Sequence, residues 1–474
     1  MVFNSITFLL FFIAFFILYW IINNKTTVNI RNGFTIIASY IFYGWWDWRF
    51  LSLIAFSSLV DFLIGLALNK QHEAKYRKLL LYLSVAANLG ILGVFKYFNF
   101  FVSSFSAALE LFSIEVHTTT LNIILPVGIS FYTFQTLSYT IDIYHKKLQP
   151  TRNPISFFAF VSYFPQLVAG PIERASRLLH QFDEKKKFNP DECTEGLRLI
   201  LWGFFKKLVI ADNFGVLVDS IFEVNQNISG VSYLLGSLFF GLQIYADFSG
   251  YSDIAIGISK TLGYNLMANF KTPYFSHSLN EFWQRWHISL SSWFKDYLYI
   301  PLGGNRKSKH RVQFNLLFTF LLSGLWHGAN LTFLIWGALH GTALVIEKQF
   351  QFRPSKWIYT PFVFLLVMLF WLPFRAESND HFIEICQSIV DVSAYTLNGI
   401  KAIVVDFSNL RFLSLSLTTV FFFSVEWRMK LLNFNAWLVT KNTSVRYLLY
   451  YVLIFAIIFL GNFSVKPSFI YFQF

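Results

Sequence analysis

The feature that most constrains this chain is a set of long apolar runs separated by short polar links. Residues 6–22, ITFLLFFIAFFILYWII, contain no charged side chain. Comparable runs recur near 50–68, 79–95, 121–141, 231–246, 314–326, 331–346, 358–373 and 446–461. A helix that crosses a bilayer needs roughly 17–25 mostly apolar residues. The sequence therefore predicts an all-α, polytopic membrane protein with about 10–12 transmembrane helices, together with re-entrant or interfacial helices.

Composition supports one membrane domain and no separate soluble domain. Only 14% of the residues are charged, whereas soluble domains contain about 25%. The first run has no basic segment before it and no small-residue cleavage site after it, so we do not expect a cleaved signal peptide. The longest polar stretch, about 173–198, is too short and too charged to bury a core of its own. We therefore expect residues 1–474 to form a single membrane domain.

The formal net charge of the chain is +12, and the distribution of its basic residues indicates how the protein is oriented in the membrane. The basic residues cluster in short links, namely Lys70, Lys75, Arg77 and Lys78; Lys146, Lys147 and Arg152; Lys185 to Lys187; and Arg306, Lys307, Lys309 and Arg311. Short basic loops are typical of the cytoplasmic side. This pattern predicts a multi-pass protein with its N-terminus outside and does not point to nucleic acid as a partner. The only two cysteines, Cys193 and Cys386, are far apart and predict neither a disulfide framework nor a zinc site.

Three stretches break the pattern of simple spanning helices. Residues 125–144 and 163–174 carry Pro and Gly inside apolar runs, and residues 280–306 are aromatic yet charged. Irregular or charged backbone is tolerated at membrane depth only where protein buries it or water lines it. These segments therefore predict an internal cavity, funnel or tunnel.

Acidic residues inside apolar segments need a partner or a cavity, because a charge at the bilayer centre costs at least ~2.5–3.5 kcal/mol. For Asp61 we expect a hydrogen bond that packs two helices. Asp247 and Asp253 flank FSGYS, where Gly250 and the serines predict a break in the helix. Structural pairing and cavity lining both remain open for these two residues.

Residues 323–341, SGLWHGANLTFLIWGALHG, place two histidines in an apolar segment. On a continuous helix His327 and His340 would lie about 20 Å apart, at ~1.5 Å per residue. They could share a metal only if the chain folded back at 328–330, and no Cys or carboxylate stands at ligand spacing beside either. We therefore predict no metal site.

His327 is the stronger candidate for chemistry, because a neutral imidazole can act as a general base near neutral pH. Trp326 precedes it, and Asn330 would lie on the same helical face. Gly324 and Gly328 would let another backbone or a slender substrate approach closely.

The segment around His287 is the second candidate. It combines cationic, acidic and aromatic side chains that would line a path for an anionic, long-armed acyl donor, namely Arg285, Trp286, Ser289, Lys295 and Asp296.

The blocks LPVGISFYTFQTLSYTIDIY, YFPQLVAGPI, FWQRWHISLSSWFKDYLYIPLGG, SGLWHGANLTFLIWGALHG and FIYFQF resemble the membrane-bound O-acyltransferase family. The match is to the bacterial branch that O-acetylates alginate, peptidoglycan and other envelope polysaccharides. The resemblance implies a funnel-shaped helical bundle in which His327 is the catalytic histidine and His287 the second family histidine. It also implies that Asp296, Tyr297 and Tyr299 belong to the site, while we expect His340 to be structural.

The chemistry that the resemblance implies is acetyl transfer across the bacterial cytoplasmic (inner) membrane. Acetyl-CoA or a similar acyl donor would present its thioester from the cytoplasm, near basic loops that suit its phosphates. His327 would take the proton of an acceptor hydroxyl, with no bound cofactor. A separate extracytoplasmic, esterase-like acetyltransferase would then pass the acetyl group to a polysaccharide.

Two other functions remain open from the sequence. A secondary transporter or channel also needs broken helices and buried acids, and would depend on Asp61, Asp247 or Asp253. A member of the same family that acts on a lipid or protein acceptor would carry the same motifs.

Overall fold

The computed structural model describes residues 1–114, 121, 123–168, 170–223, 228–350, 355–391, 395, 409–429, 432–463 and 469–470. Ala169 of the second family block and residues 471–474 of the last one therefore lie outside the described residues. All regular structure in the described ranges is helical, and no strand occurs there. The all-α prediction is confirmed.

The helices are numbered in chain order. The first nine are α1 (Ile6–Lys25), α2 (Val28–Asp47), α3 (Leu51–Lys70), α4 (Ala74–Leu92), α5 (Phe98–Glu110), α6 (Ile129–Tyr144), α7 (Pro154–Ser162), α8 (Phe164–Leu167) and α9 (Ala175–Leu178). They are followed by α10 (Pro190–Phe204), α11 (Asp212–Phe222), α12 (Gly230–Thr261), α13 (Leu279–Arg285), α14 (Ile288–Phe294), α15 (Lys309–His327), α16 (Leu331–Phe350), α17 (Lys356–Phe370), α18 (Leu372–Arg375), α19 (Asn379–Val390), α20 (Asn409–Met429), α21 (Phe434–Leu438) and α22 (Thr443–Leu460). Short 3-10 turns occupy Trp48–Phe50, Leu179–Phe182 and Pro273–Phe275, and π turns occupy Gly93–Tyr97, Phe205–Ala211 and Lys295–Tyr299.

Seven segments of the described chain are long and apolar enough to cross a membrane, which confirms a polytopic membrane protein. They are Ile6–Lys25, Val28–Lys70, Ala74–Glu110, Gly230–Thr261, Lys356–Arg375, Leu410–Met429 and Thr443–Leu460. The second and third contain 43 and 37 residues, which is more than one crossing requires. Because length alone does not fix how often such a segment crosses, the count of 10–12 stays a prediction.

The chain divides into two compact units. One comprises Met1–Thr194 with Ile258–Met267, and the other comprises Glu195–Gly257 with Ala268–Phe474. Compactness does not say whether the units fold independently, so the single membrane domain also stays a prediction.

In the first unit, α2 is a helix that the apolar runs did not indicate, because Arg31 and Asn32 interrupt it. Both side chains are fully buried. The Arg31 guanidinium donates to the carbonyl oxygens of Phe182 at 3.0 Å and Glu184 at 2.7 Å, and the Asn32 amide donates to Phe182 at 2.8 Å. Burying a charge or an amide is costly unless it is hydrogen-bonded. These bonds explain why a polar pair is tolerated inside α2.

Asp61 packs helices together in the same unit, as expected. The fully buried carboxylate on α3 accepts hydrogen bonds from Ser84 at 2.5 Å and from Asn88 at 2.8 Å, both on α4. Thr136 on α6 donates to the Asn88 side chain at 3.2 Å. The prediction of a helix-packing hydrogen bond is confirmed.

In the second unit, α12 runs without interruption through Gly250, so the predicted break at FSGYS is wrong. Gly250 serves close packing instead, because a Cβ there would lie 2.9 Å from the carbonyl oxygen of Gly203 on α10. Asp247 and Asp253, the acidic residues on either side of Gly250, each form an ion pair with a lysine.

The pairs lie on the π turn that follows α10. Lys207 contacts Asp247 at 2.7 Å and Asp212 at 2.8 Å, while Lys206 contacts Asp253 at 2.7 Å. Both lysine side chains are almost fully buried. Of the two functions left open for Asp247 and Asp253, structural pairing is the one that the contacts favour.

Helices α15 and α16 form a hairpin that carries the apolar histidine segment. The helix ends at His327, Gly328 has extended backbone, and the chain folds back so that α16 packs along α15. A Cβ at Gly324 would collide with the carbonyl oxygen of Phe333, and a Cβ at Gly328 would collide with the Phe333 ring. The glycines therefore allow the close approach of another part of the chain, which is the first of the two roles expected for them.

Candidate active site

The two site histidines that the sequence singled out lie beside each other. The ring centroids of His287 and His327 are 6.3 Å apart, and the ring planes are inclined by 54°. The exposed fractions of the two residues are 1% and 4%. The fold thus brings together two imidazoles from separate helical segments of the second unit.

Aromatic rings enclose His327. Its imidazole lies edge-on to Trp326 at 5.0 Å, to Trp336 at 5.1 Å and to Phe374 at 5.3 Å, measured between ring centroids. These rings limit access of water. In such a low-dielectric setting, electrostatic and hydrogen-bonding interactions with a reacting group are stronger than in water.

His287 has its own aromatic support. Phe248 on α12 packs edge-on against it at 4.6 Å, and Trp326 lies 5.8 Å away. Burial lowers the pKa of the His287 imidazole to about 3, so this ring is neutral near neutral pH. It can therefore act there as a neutral hydrogen-bonding group.

The backbone of His287 is strained. It joins α13 to α14 with φ 43° and ψ 54°, which is the left-handed region. That region costs a residue with a side chain about 1–2 kcal/mol. Residues in such conformations persist only where the surrounding structure holds them, and they are found most often at functional sites.

Asn330 does not lie on the helix of His327, so its predicted position on the same face is wrong. Because α15 ends at His327, Asn330 falls in the turn of the hairpin and marks the start of α16. Its side-chain oxygen accepts from Thr332 N at 3.3 Å, and its amide donates to the Glu377 carbonyl at 3.4 Å. Asn330 therefore shapes the turn behind His327.

The residues flanking His287 differ in their roles. Trp286 is buried and packs against Phe282 at 5.4 Å and Trp371 at 5.2 Å. The Ser289 hydroxyl donates to the Asn269 side chain at 2.9 Å. Trp286 and Ser289 thus fix the backbone around the histidine.

Arg285 forms an ion pair with Glu281, one turn earlier on α13. It also donates to the Phe275 carbonyl at 3.4 Å. Its expected place along the path of the donor stays a prediction.

A cleft of about 1000 Å³ opens in the second unit. Four exposed cations line it, namely Lys295, Arg306, Lys307 and Lys348. Trp283, Phe320 and Ser323 are among its other lining residues.

The cleft comes close to His327. Ser323 precedes His327 by four residues on α15, about one helical turn. The Trp283 ring lies 5.7 Å from Trp336, which in turn contacts His327. One turn of helix and one aromatic ring therefore separate the lining of the cleft from His327.

Lys295 belongs to the lining of the cleft, and the next two residues, Asp296 and Tyr297, are half-buried within the π turn. The Tyr297 ring packs on Trp293 at 5.1 Å. The Tyr299 hydroxyl donates to Asn305 at 2.7 Å, and both residues line the cleft.

His340 lies behind the pair, on α16. It is fully buried, and its ring contacts Trp283 at 5.0 Å, Trp336 at 4.9 Å and Phe370 at 4.9 Å. Neither ring nitrogen has a hydrogen-bond partner among the described residues. These contacts favour the packing role expected for it.

In the described part of the chain, no group of three or more His, Cys, Asp or Glu side chains is suited to hold a metal ion. The two cysteines are free thiols.

Sequence reasoning missed three residues that shape the site. Trp336 lies between His327 and His340. Asn269 is hydrogen-bonded to the segment that follows His287. Glu347 caps α13 by accepting from the backbone of Leu279 at 2.7 Å and Asn280 at 3.2 Å. Trp336 lies within the quoted segment 323–341 but was not singled out there. Asn269 and Glu347 lie outside the quoted blocks, and each acts on a segment distant in the chain.

Known proteins are similar in sequence to this chain over most of its length. Residues 151–372, which include both histidines, match the profile of the membrane-bound O-acyltransferase family. The "Probable alginate O-acetylase" of Pseudomonas putida is 45% identical over 387 residues, which cover 80% of this chain and 78% of that protein. The protein of the same name from Azotobacter vinelandii is 42% identical over 410 residues, 85% and 80% of the two chains.

A relative with a different named substrate is also similar. The "Peptidoglycan O-acetyltransferase" of Helicobacter pylori is 34% identical over 445 residues, 87% of this chain and 84% of that protein. With such relatives matched over four-fifths or more of its length, the chain is an acyltransferase and belongs to the membrane-bound O-acyltransferase family.

Proposed function

We propose that this acyltransferase takes an acetyl group from a cytoplasmic donor, acetyl-CoA in the simplest case, and delivers it across the bacterial inner membrane for O-acetylation of an envelope or extracellular polysaccharide. The names of the relatives support acetyl transfer and a polysaccharide such as alginate or peptidoglycan. The single structural observation that carries the proposal is the buried pair of His287 and His327 next to a cleft with a basic rim. This rim consists of Lys295, Arg306, Lys307 and Lys348.

His327 acts as the general base in this proposal. Its imidazole takes the proton of the acceptor hydroxyl as the oxygen attacks the thioester carbonyl. The new C–O ester bond forms, the C–S bond breaks, and the proton passes from His327 to the departing thiolate. The products are an acetyl ester and a free thiol. General-base assistance of this kind typically contributes about 10²–10⁴-fold to the rate.

His287 supports the reaction from beside the base. Its ring is neutral and lies within 6.3 Å of His327 between centroids, so it can place the donor or hydrogen-bond a reacting oxygen. Replacing His287 by Ala should weaken acetyl transfer without abolishing expression of the protein.

The cleft is the entry for the donor. Its cations suit the phosphate groups of a long-armed thioester such as acetyl-CoA, and Glu347 is the one acidic residue among the described residues that line it. The aromatic rings of Trp283 and Phe320 in its lining suit the acyl arm. Under this proposal the cleft faces the cytoplasm, because the basic loop at 306–311 follows the positive-inside pattern.

A second enzyme completes the pathway. The longest polar stretch, about 173–198, is too small for a catalytic domain, so an extracytoplasmic, esterase-like acetyltransferase would receive the acetyl group and transfer it to the polysaccharide. The same architecture would serve a lipid or protein acceptor, and the acceptor is therefore part of the test.

Transport without chemistry is the competing account. It would depend on Asp61, Asp247 or Asp253. Asp61 accepts hydrogen bonds from Ser84 and Asn88, and the other two carboxylates are paired with buried lysines. Family membership also argues for transfer of an acyl group.

Reconstituted vesicles separate the two accounts. Purified protein in liposomes, with glycan oligomers and an extracytoplasmic, esterase-like acetyltransferase enclosed, is supplied with acetyl-labelled acetyl-CoA, and both ester-linked label and free thiol are measured. Acyl transfer predicts one thiol released for each ester formed. Label that enters the vesicles without thiol release would contradict the proposal and favour transport.

A further inference from the structure

The three-residue segment 269–271 is hydrogen-bonded to the chain on both sides of His287. Before the histidine, the Lys271 N–H donates to the Arg285 carbonyl at 3.0 Å. After it, the Ile288 N–H donates to the Asn269 carbonyl at 2.9 Å. The short stretch that contains His287 is thus fastened at both ends to one neighbouring stretch of chain.

The side chain of Asn269 adds a second attachment. Its oxygen accepts from the Ser289 N–H at 3.2 Å and from the Ser289 hydroxyl at 2.9 Å, while its amide donates to the Ser252 hydroxyl at 3.2 Å. Asn269, Ser289 and Ser252 are each 1% exposed. Bonds to such buried groups matter because an unsatisfied buried donor or acceptor is costly.

Through its hydrogen bond to Ser252, Asn269 connects the segment around His287 to α12. Ser252 follows Phe248 by four residues, so the two share a face of that helix. Phe248 is the ring that packs edge-on against His287 at 4.6 Å. The same helical face therefore supports the His287 ring directly and its backbone through Asn269.

The strained backbone makes these attachments necessary. His287 has φ 43°, a conformation that side-chain-bearing residues leave unless their surroundings hold them. Relaxation of that one residue would turn the imidazole away from His327.

We infer that Asn269 is a positioning residue for His287: its carbonyl and its side chain hold residues 288 and 289, and so keep the strained His287 backbone in the conformation that faces its ring toward His327. The inference rests on the proposed function only for its catalytic readout.

Asn269→Ala removes the side-chain bonds to Ser289 and Ser252 and leaves the cleft unchanged. Because a displacement of about 1 Å can cost 10²-fold in rate, we expect kcat to fall about 10- to 100-fold. The KM for acetyl-CoA should change little. Ser289→Ala removes one of these bonds and should show the same change to a smaller degree, which provides a second variant if Asn269→Ala does not fold.

Asn213→Ala is the matched control. Its amide also donates to backbone carbonyls, those of Val209 and Leu460, each at 2.9 Å, and neither of these residues belongs to the segments around His287 and His327. A general loss of packing would lower activity in both alanine variants to the same extent. An effect that acts through His287 should nearly vanish when Asn269→Ala is made in the His287→Ala protein.

A chemical readout does not depend on activity. Diethyl pyrocarbonate modifies accessible neutral imidazoles, and mass spectrometry measures the rate at each histidine. We expect Asn269→Ala to raise the modification rate of His287 several-fold relative to His340, while Asn213→Ala leaves that ratio at its parent value. An unchanged His287 rate in Asn269→Ala and Ser289→Ala would overturn the inference, whatever the outcome for the proposed function.

Discussion

The imidazole of His287 lies with its ring centroid 6.3 Å from that of His327, and a strained backbone presents it there. One histidine ends a long helix and the other joins two short ones, so their proximity depends on tertiary structure alone. We assign proton transfer to His327 and support of the reacting groups to His287.

The basic rim of the cleft should govern affinity for the donor. Lys307→Glu and Lys348→Glu each reverse a charge where we place the phosphates of acetyl-CoA. We expect the KM for acetyl-CoA to rise about tenfold, corresponding to 1.4 kcal/mol, while kcat changes less than KM. Lys356→Glu reverses an exposed charge outside the cleft and serves as the control. Equal KM values for acetyl-CoA in Lys307→Glu, Lys348→Glu and the control Lys356→Glu would show that the donor does not bind in the cleft.

His340 should be replaceable by an apolar residue. Its ring is fully buried among aromatic rings, and neither nitrogen has a hydrogen-bond partner among the described residues. His340→Leu should therefore retain most activity, with a melting temperature equal to or above that of the parent, because no hydrogen bond among those residues is lost. Turnover and thermal unfolding in detergent check this. A folded but inactive His340→Leu protein would show that His340 takes part in the reaction.

Lys207 should be essential for stability. It lies between Asp212 and Asp247, so Lys207→Met leaves the buried carboxylate of Asp247 and the partly buried carboxylate of Asp212 without their shared cation. Breaking a buried ion pair in this way costs about 3–5 kcal/mol, and we expect a strongly lowered melting temperature and yield. Lys206→Met removes a partner from one carboxylate, Asp253, and should cost less. If the Lys207→Met protein has the same melting temperature as the parent, the ion pairs of Lys207 with Asp212 and Asp247 do not stabilise the fold.

Orientation can be tested on three basic loops. In a background with Cys193 and Cys386 replaced by Ser, single cysteines are placed at the exposed positions Lys75, Lys147 and Lys309. We expect an impermeant thiol reagent to label them only after the membrane is permeabilised, because short basic loops stay in the cytoplasm. Labelling of two of these sites in intact cells would reverse the proposed orientation.

The sequence predicted features that depend on local pattern. Apolar runs indicated most of the long helices, and the block around His327 indicated the site because a histidine in an apolar segment is conspicuous. The helix α2 was missed because Arg31 interrupts its apolar run, and the carbonyls of Phe182 and Glu184 that satisfy it lie far along the chain.

The predictions for Gly250 and Asn330 were wrong because the contacts that decide their roles do not show in the local sequence pattern. Gly250 was expected to break a helix, but a glycine also permits close packing, and only the position of Gly203 distinguishes the two roles. Asn330 was assigned to the helix of His327 because the turn after Gly328 is not visible in a helical pattern. Asn269 left no signal, since its hydrogen bonds reach segments about 17 to 20 residues away.

The role of His327 as general base is tested by the amount of ester-linked acetate on the polymer, per unit of this protein in the membrane, in cells that carry His327→Ala. Loss of a general base predicts a decrease of about 10²–10⁴-fold, while the protein still inserts, extracts and elutes like the parent. His340→Leu, expressed in parallel, should keep its acetate. Acetate near the parent level in the His327→Ala cells would show that His327 is not the base and would leave His287 as the candidate.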